Sequence, residues 1–124
     1  MPHAISRGGN LAALVFGHPL TAPPTPGRAN KILWVSRIPV GPGEELRIRA
    51  RRHVGAKPVG QAFVLTVAGG PRPSIVNMPG PGCWRLRLQW SGHLDTLDIH
   101  YRYVAWQRRS SGPRRAARVD RSVN

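Results

Sequence analysis

The sequence predicts an all-β fold in which about seven short antiparallel strands form a two-layer sandwich. Short apolar runs recur between breaks rich in Gly and Pro, which number 14 and 13 in the chain. Several runs alternate apolar with polar residues at the two-residue period of a strand, and no stretch shows the 3.6-residue period of a helix. A chain of 124 residues holds one domain at most. A small barrel is the alternative architecture.

In the first half of the chain, residues 10–16 and 31–37 form continuous apolar runs that predict two strands, the second one buried. The prolines between residues 18 and 28 predict an irregular connection between these strands. Residues 45–51 place Arg at every second position between apolar residues, which predicts a half-buried strand. Trp34 is the expected aromatic of the core between the sheets.

In the second half, residues 62–68 predict a strand and residues 74–76 a short edge strand flanked by proline. Residues 83–90 and 95–103 predict a hairpin with Gly92 and His93 at its tip. This tip pairs residues whose numbers add to 185, so that one face is apolar and the other polar. The predicted pairs are Leu88 with Leu97, Leu86 with Ile99, Trp84 with Tyr101, Arg87 with Asp98, Arg85 with His100 and Gln89 with Thr96. Phe63 and Trp84 are expected beside Trp34.

The composition divides the chain into three parts. Residues 1–9 are short and polar and are predicted to be disordered, residues 10–104 form the sandwich domain, and residues 105–124 form an Arg-rich tail. The tail alone has a net charge of +5 and few large apolar residues. Because it cannot bury enough apolar surface to offset the entropy lost on ordering, it is predicted to be disordered or at most a frayed helix.

The charge of the chain is strongly basic, with 19 Lys and Arg against 5 Asp and Glu, and 17 of the basic residues are Arg. An excess of Arg is typical of proteins that bind polyanions, although the coding bias of a GC-rich genome gives the same composition. Arginines project from one side of each of two predicted strands and form a positive plate if the strands share a sheet. A solvated face that protects the sheet against edge pairing is the alternative. The candidate polyanion-binding residues are Arg47, Arg49, Arg51, Arg85 and Arg87 in the domain and Arg108, Arg109, Arg114 and Arg115 in the tail.

Aromatic residues near the predicted plate, such as Trp84, Trp90 and Tyr101, alternate onto the apolar face. Without exposed rings on which bases could stack, the sequence argues against sequence-specific recognition of nucleic acid. An anionic polymer or a protein remains the expected kind of partner.

The sequence predicts no catalytic, cofactor or metal site. Cys83 is the only cysteine, which excludes an intramolecular disulfide and leaves an intermolecular one open. The five histidines lack the close spacing of a zinc site. Glu44, Glu45, Asp95 and Asp98 show no pairing expected of acid–base catalysis, and Asp98 is explained as the partner of an arginine. No apolar run approaches the roughly 20 residues that cross a bilayer, and residues 1–16 match an export signal poorly.

Four short motifs resemble a group of uncharacterised actinobacterial envelope proteins: KILWVS at residues 31–36, PSIV at 73–76, PGCW at 81–84 and FGHP at 16–19. The resemblance covers residues 10–103 and implies an immunoglobulin-like β-sandwich with no catalytic residues. Members of this group usually carry an export signal or a lipid anchor before the domain. Residues 1–9 contain neither, and the Arg-rich tail has no counterpart in the group, so that localisation stays unassigned.

Two hypotheses about function follow from the sequence. The first is a non-enzymatic β-sandwich that serves as a binding or structural module of the cell envelope, which rests on the strand pattern and the resemblance. The alternative is a cytoplasmic protein that associates with nucleic acid or another polyanion through its arginines. The alternative predicts binding that weakens steeply as the salt concentration rises.

Overall fold

A computed structural model describes residues 2–41 and 43–103 and contains eight strands in two antiparallel sheets. The predicted all-β sandwich is therefore confirmed. The predicted tail, with Arg108, Arg109, Arg114 and Arg115, lies outside the described residues. The strands are β1 (His3–Ile5), β2 (Leu11–Val15), β3 (Lys31–Ser36), β4 (Glu45–Val54), β5 (Lys57–Ala68), β6 (Pro73–Ile75), β7 (Gly82–Trp90) and β8 (His93–Tyr101).

The two layers differ in the length of their strands. One sheet has the order β1-β2-β3-β6 with strands of three to six residues, and we call it the short sheet. The other has the order β5-β4-β7-β8 with strands of nine to twelve residues, and we call it the long sheet. The chain passes between the sheets in the connections that follow β3, β5 and β6. Each sheet therefore combines strands from both halves of the chain.

The core between the sheets is built around three tryptophans whose indole N–H groups all have acceptors. Trp34 is 1% exposed and donates to Ser74 Oγ at 3.1 Å. Trp90 donates to Ser36 Oγ and Trp84 to the carbonyl of Gly80, each at 3.0 Å. Buried polar groups without partners are costly, so these bonds let large rings fill the core. The prediction of Trp34 as a core aromatic between the sheets is confirmed.

Two other aromatic residues complete this core. Phe63 packs edge-to-face against Trp84, with ring centroids 5.7 Å apart, an arrangement that aromatic pairs prefer. Tyr101, on β8, is fully buried and donates to the carbonyl of Val76 at 2.7 Å. Burial raises the pKa of the Tyr101 hydroxyl, so this group remains a hydrogen-bond donor.

The start of the chain differs from the predicted disorder of residues 1–9. His3–Ile5 forms β1 and pairs with β2, and the next turn contacts β8 through the Arg7 N–H and the Thr96 carbonyl at 2.8 Å. The Ser6 hydroxyl and the Gly8 N–H both donate to the carboxylate of Asp95. This segment is held by backbone pairing and by one distant carboxylate, neither of which leaves a periodic apolar pattern in the sequence.

The predicted hairpin between β7 and β8 exists, but its register differs by two residues. Trp84 pairs with Ile99, Leu86 with Leu97 and Arg85 with Asp98, whereas the prediction paired Arg85 with His100 and Arg87 with Asp98. The turn consists of Ser91 and Gly92, whose φ angles are +48° and +75°. Positive φ at both central residues is typical of the type I′ turn, whose twist matches the paired strands. A shift of two leaves every side chain on its predicted face.

The hairpin between β4 and β5 is longer than predicted. The predicted strands end at residue 51 and begin again at residue 62, because Gly55, Pro58 and Gly60 indicate a break between them. The strands instead continue to Val54 and resume at Lys57 around a turn that begins with Gly55. Gly60, at φ +73°, lies where the pairing is irregular, between Ala50 and Arg52 on β4. Pro58 is tolerated because β5 is an edge strand.

Candidate polyanion-binding surface

The outer face of the long sheet carries five arginines side by side, which we call the arginine plate: Arg47, Arg49, Arg51, Arg85 and Arg87. β4 and β7 lie next to each other in this sheet, so the condition on which the predicted plate depended is met. Arg49 lies opposite Arg87, and Arg51 lies opposite Arg85. The residues between them on each strand are buried, which aims the guanidinium groups at solvent.

The spacing of the plate follows from sheet geometry. Alternate residues on one strand are about 6.7 Å apart, and neighbouring strands are about 4.8 Å apart. The plate is therefore a two-row array, with three arginines on β4 and two on β7, and Gln89 opposite Arg47 completes the second row. Like charges directly opposite each other destabilise a sheet, so a bound anion would stabilise this arrangement.

Three arginines of the plate are free to bind a ligand. The side chains of Arg47, Arg49 and Arg87 form no hydrogen bond or ion pair with any residue in the described ranges 2–41 and 43–103. Arg51 donates from Nε to the carbonyl of Gly60 at 3.0 Å, which leaves its terminal nitrogens available. A guanidinium has five N–H donors in a planar fork that suits phosphate, sulfate and carboxylate oxygens.

Arg85, the fifth member of the plate, is held by a carboxylate. Arg85 Nε donates to Asp98 Oδ1 at 2.9 Å and Arg85 Nη2 to Asp98 Oδ2 at 3.2 Å. Arg7, from the turn after β1, donates to the same Oδ2 at 3.4 Å. The hydrogen bond from Arg85 lowers the pKa of the Asp98 carboxyl, and the charges of Arg85 and Arg7 lower it further against the effect of burial. Asp98 therefore occupies one edge of the plate as an internal anion.

The rest of this face is polar or aliphatic. Val64 on β5 and Leu94 on β8 flank the arginines on opposite sides and are 51% and 60% exposed. With Arg47, Arg49, Arg87 and Gln89 they line a shallow depression. Trp84, Trp90 and Tyr101 are buried on the inner face. The described part of the face thus presents charge and aliphatic contacts and no Phe, Tyr or Trp ring on which a base could stack, and the imidazoles of His53 and His100 lie at the end beside Cys83.

Cys83 lies at the end of the long sheet, exposed to solvent. It pairs with His53 on β4 and with His100 on β8, so Cys83 lies between two histidines on neighbouring strands. The observed register places Cys83 directly opposite His100, whereas the predicted register pairs Arg85 with His100. In the two described ranges, no three His, Cys, Asp or Glu side chains are grouped so that they could hold a metal ion.

The carboxylates of the described chain are dispersed. Asp95 is buried, and its carboxylate accepts hydrogen bonds from Ser6 Oγ at 2.6 Å and from the N–H groups of Gly8 and Thr96 at 2.8 Å. Burial alone would raise the pKa of Asp95, but these bonds, with one from the Asn10 N–H, together lower it. Asp95 is therefore a charged structural group that holds the start of the chain on β8.

Some parts of this surface were not predicted from the sequence. Arg7 belongs to the segment expected to be disordered, and nothing in the sequence placed it beside Asp98. A cleft between the open edges of the two sheets was also not expected; His3, His18, His100, Asp98 and Arg102 are among the residues that line it. The positions of β1 and of the connection after β2 create this cleft, so only the tertiary structure shows it.

In comparisons with known proteins, no family model, no curated protein and no solved structure matches this chain. The residues that the structure describes contain no helix long and apolar enough to cross a membrane.

Proposed function

We propose that the protein is a β-sandwich binding module that holds anionic polymers on its arginine plate. The observation that carries this proposal is the set of Arg47, Arg49 and Arg87, which stand on adjacent strands with no partner among the described residues. Keeping like charges together costs stability, and a chain of anions would offset that cost at several points at once.

The chemistry of the plate determines what kind of polymer it fits. Arginine forks bind phosphate, sulfate and carboxylate groups, and the two-row array suits a ligand in which such groups repeat. The exposed aliphatic residues Val64 and Leu94 add contacts at the sides of the plate, but aliphatic side chains cannot distinguish one nucleotide base from another by hydrogen bonding. Recognition therefore depends on the charge of the polymer and on the spacing of its anionic groups. The proposal includes a role in the cell envelope, where the module would contact anionic polymers.

Nucleic acid is the second candidate ligand, favoured by the same unpartnered arginines. Phosphate contacts alone supply non-specific binding to nucleic acids, without any base contact. The two candidates differ in one respect. A nucleic-acid-binding protein with this surface prefers DNA or RNA to an anionic polysaccharide of equal charge density, whereas an envelope module does not.

The test is a binding titration of the full chain with labelled single-stranded DNA, duplex DNA and a sulfated polysaccharide. The double variant Arg49→Gln/Arg87→Gln removes two charges from the centre of the plate. The double variant Arg37→Gln/Arg72→Gln removes two exposed charges outside the plate and is the matched control. At about 0.15 M salt, losing two phosphate contacts weakens binding roughly 10- to 30-fold. An equal loss of affinity in both variants would show that any two positive charges on the surface contribute alike, which would contradict the proposal.

The tail is tested separately, because its arginines lie outside the described residues. A full-length variant with Gln at residues 108, 109, 114 and 115 keeps the plate intact. If the plate is the main binding surface, this variant keeps most of the affinity that the Arg49→Gln/Arg87→Gln variant loses. Binding that depends wholly on the tail would instead assign polyanion binding to the tail.

A further inference from the structure

The cleft between β1 and β8, which we call the edge cleft, is closed at both ends by backbone hydrogen bonds. At one end the Arg7 N–H donates to the Thr96 carbonyl at 2.8 Å. At the other end the Arg102 N–H donates to the Leu20 carbonyl at 2.8 Å, and the Arg102 carbonyl accepts from the Ala22 N–H at 3.0 Å. Between these bonds β1 and β8 are edge strands of different sheets, and they enclose a volume of about 230 Å³.

The edge of β8 presents backbone groups to this cleft. The bonds at its two ends use the carbonyl of Thr96 and both backbone groups of Arg102, so these groups point away from β7. Successive residues of an antiparallel strand alternate in this direction, so the backbone N–H and C=O groups of Asp98 and His100 also point away from β7. In the described ranges no strand pairs with β8 on this side. These groups are therefore available to a ligand.

Four basic side chains line the edge cleft and have no partner. His3 comes from β1, His18 from the connection after β2, His100 from β8, and Arg102 directly follows β8. Their side chains make no hydrogen bond or ion pair with any residue in the ranges 2–41 and 43–103. The described imidazoles form no metal-binding group, so they serve as separate hydrogen-bonding groups around the guanidinium.

The bottom of the edge cleft is apolar. Val15, Leu20 and Ile99 are buried and line it together with the half-buried Ala4. Asp98 is the one carboxylate among the lining residues, and two arginines already hold it. The edge cleft thus combines an aliphatic bottom with a basic rim whose positive charge is not neutralised from within.

The connection that carries His18 is held in place by its own hydrogen bonds. The buried side chain of Asn30 accepts from the Thr21 N–H at 3.0 Å and donates to the Thr21 carbonyl at 2.8 Å. Arg28 donates to the His18 carbonyl at 2.7 Å. Gly17 permits a close approach of backbone to backbone that a Cβ would block. A site held in this way loses little conformational entropy when a ligand binds.

We propose that the edge cleft binds a small organic anion, in which a carboxylate is attached to a compact apolar body. The Arg102 guanidinium and the N–H donors beside it bind the carboxylate, and the aliphatic bottom contacts the apolar body. Because both ends are closed, a continuous polymer cannot lie along the cleft. The volume of about 230 Å³ is below the roughly 300–1,000 Å³ of sites for drug-sized ligands, so the ligand is small.

This site is independent of the arginine plate. The plate lies on the outer face of the long sheet, whereas the edge cleft lies at the side of the sandwich, beyond the edge of β8. The plate is open and suits a ligand with repeated charges, while the cleft is bounded and suits a single charge with an apolar body. Failure of either proposal therefore leaves the other standing.

The experiment is a titration of the full chain with benzoate, followed by proton–nitrogen NMR at about 0.15 M salt. We expect the amide signals of His18, Asp98 and His100 to shift together and to saturate, with a dissociation constant of about 1 mM. Benzamide has the same shape without the charge. It should bind about 10-fold more weakly or worse, because hydrogen bonds to a charged group are the stronger ones.

Arg102→Gln removes the charge of the cleft and keeps the backbone bonds of this residue. We expect it to weaken benzoate binding about 10-fold or more. Arg72→Gln removes an exposed charge outside the cleft and is the matched control. The plate variant Arg49→Gln/Arg87→Gln should bind benzoate as the wild type does, which separates the edge cleft from the plate.

A second variant guards against a folding defect. His100→Gln changes an exposed side chain of β8, and it is expected to weaken benzoate binding while leaving thermal unfolding unchanged. The absence of a saturable shift up to about 20 mM benzoate would overturn the proposal. So would equal binding of benzoate and benzamide, equal losses in Arg102→Gln and Arg72→Gln, or binding that only the plate variant loses.

Discussion

Asp95 provides the most detailed test of how the start of the chain is held in the fold. We consider Asp95→Asn, which keeps the shape of the side chain and removes its charge. The amide can still direct its oxygen to the N–H groups of Gly8 and Thr96 and its NH₂ to Ser6 Oγ. What it loses is the ionic character of the bonds, which are 2.6–2.8 Å long in the native protein. Hydrogen bonds to charged groups contribute about 1 kcal/mol more than neutral ones, so over these three bonds the loss is about 3 kcal/mol of unfolding free energy.

The difference in unfolding free energy between wild type and Asp95→Asn depends on pH. The pKa of Asp95 is lowered in the folded state, relative to a value of about 4 in the unfolded chain. The ionised carboxylate therefore contributes stability that is fully present above about pH 5 and is lost as the pH falls through the folded-state pKa. Asp95→Asn lacks this contribution, so the difference between wild type and variant is largest at neutral pH and decreases toward pH 3.

Urea unfolding followed by tryptophan fluorescence measures this difference, because the core tryptophans are buried. Asp98→Asn is the matched control: it is the same substitution on the same strand, at a carboxylate that is about half exposed and paired with arginines at the surface. Exposed pairs contribute little, so its effect should be small. A loss for Asp95→Asn no larger than that for Asp98→Asn, or a difference that does not change with pH, would refute this account of the segment around Ser6.

Three further predictions follow from close contacts and turns. Gly17→Ala would bring its Cβ against the carbonyl oxygen of Ala29 and should lower the melting temperature by an amount equivalent to about 2 kcal/mol or more, whereas Gly80→Ala, with open space around it, should not. Ser91→Gly keeps the positive φ of the turn but removes its steric cost, and it also removes a buried hydroxyl that has no partner among the described residues, so chemical unfolding should show a gain of about 1 kcal/mol. Asp98→Asn frees a guanidinium of the plate, so it should tighten binding of DNA or a sulfated polysaccharide in a titration; weaker binding would contradict the role of Asp98 as an internal anion.

The strands and the faces of their side chains were predictable where apolar and polar residues alternate regularly in the sequence. β7 and β8 alternate so regularly that every side chain was placed on the correct face, and the same is true of Arg47, Arg49 and Arg51 on β4. The register of the hairpin was not predictable from alternation, because a shift of two residues keeps all faces unchanged. The turn geometry at Ser91 and Gly92 decides it.

Other features required the tertiary structure. β1 is three residues long and depends on pairing with β2 and on Asp95, which lies about ninety residues away in the chain. The exposed outer side of β3 was not predicted, because the apolar run at residues 31–37 predicts a buried strand. A continuous apolar run indicates that both sides of a strand are apolar, but it does not indicate whether the outer side is covered by another part of the same chain.

The central claim is that the arginine plate binds anionic polymers, and the salt dependence of binding tests it most directly. For the full chain with duplex DNA, the logarithm of the binding constant is plotted against the logarithm of salt concentration, and the slope is about 0.9 for each phosphate neutralised. The account predicts that Arg49→Gln/Arg87→Gln reduces the slope by about 1.8 and that Arg37→Gln/Arg72→Gln leaves it nearly unchanged. Equal slopes for wild type and the plate variant would contradict the account.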